Sequence, residues 1–80
     1  MANKNAVIVE IALVANKFAS SIVLQYDNKY IDAKSILGLF TTLLNTSKYA
    51  LHVQGPDSKE ALLAMTEVFA KHNLQVTVKE

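Results

Sequence analysis

"NKYIDAKSILGLF", residues 28–40, decides how this chain is read. Its first half closes a hairpin, its second half opens a helix, and Ser35 stands at the join. Upstream, in "SSIVLQYDNKYIDA" (20–33), Ile22, Leu24 and Tyr26 alternate with Val23, Gln25 and Asp27, the period of a strand with one covered face. Asp27 and Asn28 tolerate positive φ, so the turn belongs there, and the return strand begins at Tyr30 or Ile31. Ser35 then occupies the position where a helix wants its N-cap, because a hydroxyl oxygen can accept from the N–H groups one turn ahead. The helix itself, "ILGLFTTLL", is short and apolar, and Asn45-Thr46-Ser47 ends it. Gly38 costs it about 1 kcal/mol relative to alanine. A glycine kept at such a place signals close packing or the approach of another molecule.

The flanks extend the pattern. In "AVIVEIALVANKF" (6–18) the β-branched residues favour a strand, but Val7, Ile8, Ile11, Ala12, Ala15 and Phe18 recur at helical spacing. Glu10, Asn16 and Lys17 fall on the other side, so the spacing predicts a helix starting from a cap at Asn5, with Glu10 toward solvent. Downstream, "YALHV" (49–53) reads as a strand and "QGPDSKE" as a turn. Asp57 or Ser58 caps a helix over 59–72 that places Ala61, Leu62, Met65, Val68 and Phe69 on one face. In 74–80, Leu74, Val76 and Val78 alternate with Gln75, Thr77 and Lys79, an edge-strand pattern. Helix, hairpin, short helix, strand, helix, strand is an α+β order, with three helices packed on one face of a mainly antiparallel sheet.

Bulk properties bound the rest. Eighty residues, 51% of them hydrophobic, make a single domain over 1–80. A domain of this size buries only roughly 60% of the surface its unfolded chain exposes. Net charge is +1, and the eight basic residues are all lysine and are spread along the chain. With no arginine for bidentate contacts, a direct nucleic-acid partner is not expected. The absence of cysteine excludes disulfides and thiolate metal sites and fits a cytoplasmic location. The apolar stretch 6–15 contains Glu10, is too short to span a membrane and lacks a small-residue cleavage site. Neither a phosphate-binding glycine loop nor calcium or zinc ligand spacing is present, so no cofactor and no metal are expected and the chain does not read as an enzyme.

The segment "NKFASSIVLQYDNKYIDAKSILGLF" (16–40), and within it "AKSILG" (33–38), resembles HPr, the histidine-containing phosphocarrier family of the bacterial phosphotransferase system. The resemblance covers 5–72 and implies an open-faced sandwich. Family members begin with a strand followed by a "GxHARPA" loop, whose histidine carries the phosphoryl group and whose arginine helps bind it. Counting back from Phe18 without gaps, those positions fall on Lys4 and Ala6. The resemblance therefore implies an HPr-like protein that lacks the first strand and is not competent for histidine phosphotransfer. The closing strand 74–80 is extra. It either fills the place of the first strand, which demands parallel pairing after a crossover, or pairs with a second chain and bridges a homodimer.

Ser35 is the candidate site. In the family, the serine of "AKSI" is the target of an ATP-dependent HPr kinase, so the resemblance implies regulatory phosphorylation here. A phosphate adds roughly −1.5 to −2 charges and suits a helix N-terminus. Lys34 stands beside it, able to pair with the added charge. The competing reading makes Ser35 a cap and nothing more. Ile36, Leu37 and Phe40 are candidate docking residues, since the family uses this short helix to meet partner proteins. Either all of them are core, or they split between surface and core along with Leu39, Leu43 and Leu44; the split is favoured, because five leucines or isoleucines within nine residues exceed what one helix face can bury. The implied partners are an HPr kinase-like enzyme or a transcription regulator of carbon catabolite control, with no membrane. His52 in a strand and His72 at a helix end are the two imidazoles, each read as structural unless the protein is a phosphocarrier with a rearranged site.

Overall fold

A computed structural model describes residues 4–42 and 48–79, with the backbone alone at 4, 41 and 42. The elements are α1 (Lys4–Ala15), β1 (Ser21–Tyr26), β2 (Lys29–Asp32), α2 (Ile36–Thr42), β3 (Lys48–Gln54), α3 (Ser58–Lys71) and β4 (Gln75–Lys79). The predicted order is thus present. The reading of Leu43, Leu44 and the stop at 45–47 lies outside the described residues.

The strands form one sheet in the order β2-β1-β3-β4. β1 runs antiparallel to both β2 and β3, while β4 runs parallel to β3, with Ala50 opposite Thr77 and His52 opposite Lys79. The parallel pairing follows from the crossover through α3, which returns the chain to the end where β3 began. The turn of the hairpin is Asp27-Asn28, as predicted, with Asp27 at φ 55°. The return strand starts one residue sooner than expected, at Lys29.

All three helices lie on one face of the sheet. Ile22 and Leu24 of β1, Tyr49 and Leu51 of β3, Ile8 and Ile11 of α1, Leu39 of α2, and Met65 and Phe69 of α3 meet in one core. Tyr49 packs edge-on against Phe69 and Tyr26 at ring distances of 6.0 and 6.3 Å. Burial, and secondarily Tyr26, pushes its phenol up to about 12.

Two boundaries of α1 differ from the reading. Asn5 is already inside the helix, so it is not the cap. The helix ends at Ala15 rather than Phe18, because Asn16 turns its side-chain amide onto the Ala12 carbonyl at 2.8 Å and the backbone tightens, Lys17 N–H to Val14 O and Phe18 N–H to Ala15 O. Phe18 still packs against the core from the loop. At the far end of α3, Asn73 sits at φ 61° and the Leu74 N–H donates to the Phe69 carbonyl, a Schellman closure.

Candidate functional site around Ser35

The link from β2 to α2 is built by local hydrogen bonds. Ala33, fully buried, donates its N–H to the Ile22 carbonyl and so extends the ladder by one residue. Asp32 then turns the chain: its carboxylate accepts the Lys34 N–H at 2.9 Å and its carbonyl accepts the Ser35 N–H at 2.9 Å. Ser35 caps α2, its Oγ accepting from the Gly38 N–H at 3.1 Å and its carbonyl from the Leu39 N–H at 3.0 Å. Ser35 as a whole is half-buried. Gly38 is close-packed, since a Cβ there would stand 2.7 Å from the Ile31 γ2 methyl.

The apolar residues of α2 divide as expected. Leu39 is fully buried, while Leu37 is 79% exposed and Ile36 and Phe40 are 40% and 36% exposed. Ser35 therefore stands at the start of an apolar surface. Lys34 follows Ala33 and precedes Ser35, and its side chain has a partner the sequence did not suggest. Its ammonium donates to the Phe18 carbonyl at 2.8 Å, beyond the last turn of α1. Its own carbonyl accepts from the Asn16 side chain at 3.1 Å. The negative end of α1 holds this cation, and the pair ties α1 to the site.

Neither histidine joins Ser35. His52 lies on the sheet face that no helix covers, with Nε2 2.9 Å from Gln25 Oε1 and the ring tilted against Tyr30. His72 caps the C-terminus of α3 and places Nε2 2.8 Å from Glu10 Oε1. A carboxylate at that distance opposes the approach of a phosphoryl anion. Glu10 keeps 34% of its side chain exposed, in line with the reading, but it is not free. It also accepts from Lys71 Nζ at 2.8 Å, and these two bonds hold its carboxyl below the usual range. The spacing of 61 and 62 residues between Glu10 and its partners leaves no local signal in the sequence.

A second tie was also missed. Asp57 precedes α3 as predicted, but its carboxylate makes no bond to that helix. It accepts instead from the Ala19 N–H at 3.0 Å and from the Ser20 N–H at 2.9 Å and hydroxyl, while the buried Ser20 Oγ accepts the Asp57 N–H at 3.2 Å. The Ser20 hydroxyl first, then the Ala19 N–H, hold the Asp57 carboxyl low. Gly55, at φ 147°, makes the approach feasible, because a Cβ would lie 2.6 Å from Ser20 Cα. Among the described residues no group of three or more histidines and carboxylates could hold a metal, and no helix is long and apolar enough to cross a membrane.

A sheet with three helices on one face and a serine-capped short helix at its hairpin edge defines an HPr-type protein. The chain belongs to that family: the family model described as the PTS HPr component phosphorylation site matches residues 6–71. It is similar to the HPr-like protein Crh of Bacillus subtilis (strain 168), 43% identical over 49 residues, 60% of this chain and 58% of that protein. It is also similar to the HPr-like protein Crh of Halalkalibacterium halodurans, 36% identical over 58 residues, 71% of this chain and 69% of that protein. The match thus spans little more than half of the first relative's length. The crystal structure of the B. subtilis Crh superposes with a TM-score of 0.77 at 30% identity, covering 86% of this chain and 80% of that one. It is described there as a swapped, intertwined dimer. Proteins of this family are carriers rather than enzymes.

Proposed function

We propose that the chain is a cytoplasmic regulatory adaptor of the phosphotransferase system and of carbon catabolite control, switched by phosphorylation of Ser35 and not competent for histidine phosphotransfer. The observation that carries this reading is the position of Ser35, a half-buried residue at the mouth of α2 beside the exposed Ile36, Leu37 and Phe40. A phosphate there changes the charge at the border of an apolar docking surface while the helix stays capped. Lys34, held only by a backbone carbonyl, is the nearest cation in sequence that can swing to the added charge. The partners are an HPr kinase-like enzyme and a transcription regulator that reads the phosphorylated surface. Against histidine chemistry stand the residues at the counted positions, Lys4 and Ala6, and the engagement of His52 by Gln25 and of His72 by Glu10.

Incubation with ATP and HPr kinase is expected to add one acid-stable phosphate, lost in Ser35→Ala. Incubation with phosphoenolpyruvate and the first enzyme of the relay is expected to add no acid-labile phosphate. An unlabelled wild type in the first assay, or phosphohistidine in the second, overturns the proposal.

A further inference from the structure

The sheet and the helix layer above it do not end together. In β4, Val76 and Val78 share the helix-covered face with their register partners Tyr49 and Leu51 of β3. Leu51 is fully buried and Val76 packs against the core, but Val78 is 37% exposed, so the helices stop short of the end of β4. What remains is a crevice of about 460 Å³ between the start of α3 and the ends of β3 and β4. Its apolar wall is one side chain from each element, Val53, Leu62 and Val78. Ser58 adds a half-buried hydroxyl, and Lys59 and Lys79 stand exposed at the rim.

The charge of this crevice is of one sign. Both of its charged lining residues are lysines, and neither has an ion-pair partner among the described residues. Glu60 lies outside the lining, and Asp57 spends its carboxylate on Ala19 and Ser20. The groove between α1 and α3 differs, because there Glu10 and Glu67 stand with Lys17 and Lys71 and the charges balance. An apolar recess under two uncompensated cations is an amphipathic site, within the size range of small-ligand pockets.

We infer that this crevice binds a small organic anion with an apolar tail, of the class of a medium-chain carboxylate. The tail lies against Val53, Leu62 and Val78 and takes the exposed face of Val78 out of water. The carboxylate meets the ammonium groups of Lys59 and Lys79, whose flexible stems close over it, and the Ser58 hydroxyl donates to one oxygen. A sugar phosphate suits the rim but not the wall, since its hydroxyls would face three aliphatic side chains without partners. The wall is recessed below the lysines, so the ligand enters as a single molecule and not as part of a flat lipid surface. No residue of the Ser35 site lines the crevice, and the inference does not rest on the phosphorylation reading.

The test adds octanoate to the full chain, below the concentration at which it self-associates. The methyl signals of Val53, Leu62 and Val78 are expected to shift along one saturating curve, while those of Leu13 and Leu37, exposed elsewhere, stay in place. Acetate keeps the head without the tail, and octylammonium keeps the tail with the opposite charge. Each is expected to bind more weakly by roughly tenfold or more. Lys59→Gln combined with Lys79→Gln, both at exposed positions, is expected to keep the thermal melt of the wild type and to weaken octanoate binding by roughly fivefold, the worth of two exposed ion pairs. Phosphatidylserine vesicles are expected not to sediment the chain. No shift of the wild type at millimolar octanoate, shifts spread over Leu13 and Leu37 as well, equal binding of octylammonium, an undiminished affinity in the double variant, or sedimentation with the vesicles overturns the inference.

Discussion

Ser35 caps α2, and the proposed function adds a phosphate to the same hydroxyl; the two roles separate by substitution. As a cap it satisfies one N–H of α2, so Ser35→Ala is expected to cost about 0.5–2 kcal/mol in chemical denaturation and Ser35→Gly only a few tenths. Leu37, at 79% exposure, has little core to lose, so Leu37→Glu is expected to leave stability within about 0.5 kcal/mol. Under the proposed function its effect falls on partner binding, which a pull-down with the proposed transcription regulator reads. The serine was legible in the sequence because a cap is a local signature. A hydroxyl, a glycine three positions on and an apolar run all sit within one turn. Asp57 was legible only as a punctuation mark. Its true partners, Ala19 and Ser20, lie 38 and 37 residues away, and nothing in the spelling of the chain connects them.

Among the elements, the strands were the easier to read. Their alternation reports a covered face directly, and Ile22, Leu24 and Leu51 are all buried as the period requires. α1 was harder to bound because it is apolar on nearly every side. Val9 and Leu13 are exposed at 39% and 61%, so no polar stripe marks its ends, and the stop is set by Asn16 folding back on Ala12. In α2 the glycine has a specific cause. Replacing an exposed helical glycine by alanine ordinarily gains about 1 kcal/mol. At Gly38 the added methyl meets the stiff, β-branched Ile31 at 2.7 Å. Overpacking of this kind costs about 1–3 kcal/mol, so Gly38→Ala is expected to lower the denaturation midpoint instead of raising it.

At the scale of the whole molecule, two carboxylates fasten α3 at its two ends. Asp57 binds the loop after α1 at one end, and Glu10 of α1 binds Lys71 and His72 at the other. Both carboxyls are held below their ordinary values of 3.8 and 4.5, so the unfolded chain binds more protons than the folded one in acid. The stability they contribute is fully present above those values and is lost as pH falls through the lowered ones. The melting temperature is therefore expected to be flat above roughly pH 5 and to decline below it, and Asp57→Asn is expected to lower the plateau and flatten the decline.

The strand order has a consequence for how the protein breathes. β1 and β3 are each bracketed by neighbours on both sides, whereas β2 and β4 each have one. Deuterium uptake at amides of β3 thus reports opening of the entire fold, since both ladders must part before they are released. Outward amides of β4, which has a neighbour on one side only, answer to a different event, the local opening of that edge. One labelling experiment, followed over a wide range of times, would read fraying of the edge and unfolding of the whole as separate clocks.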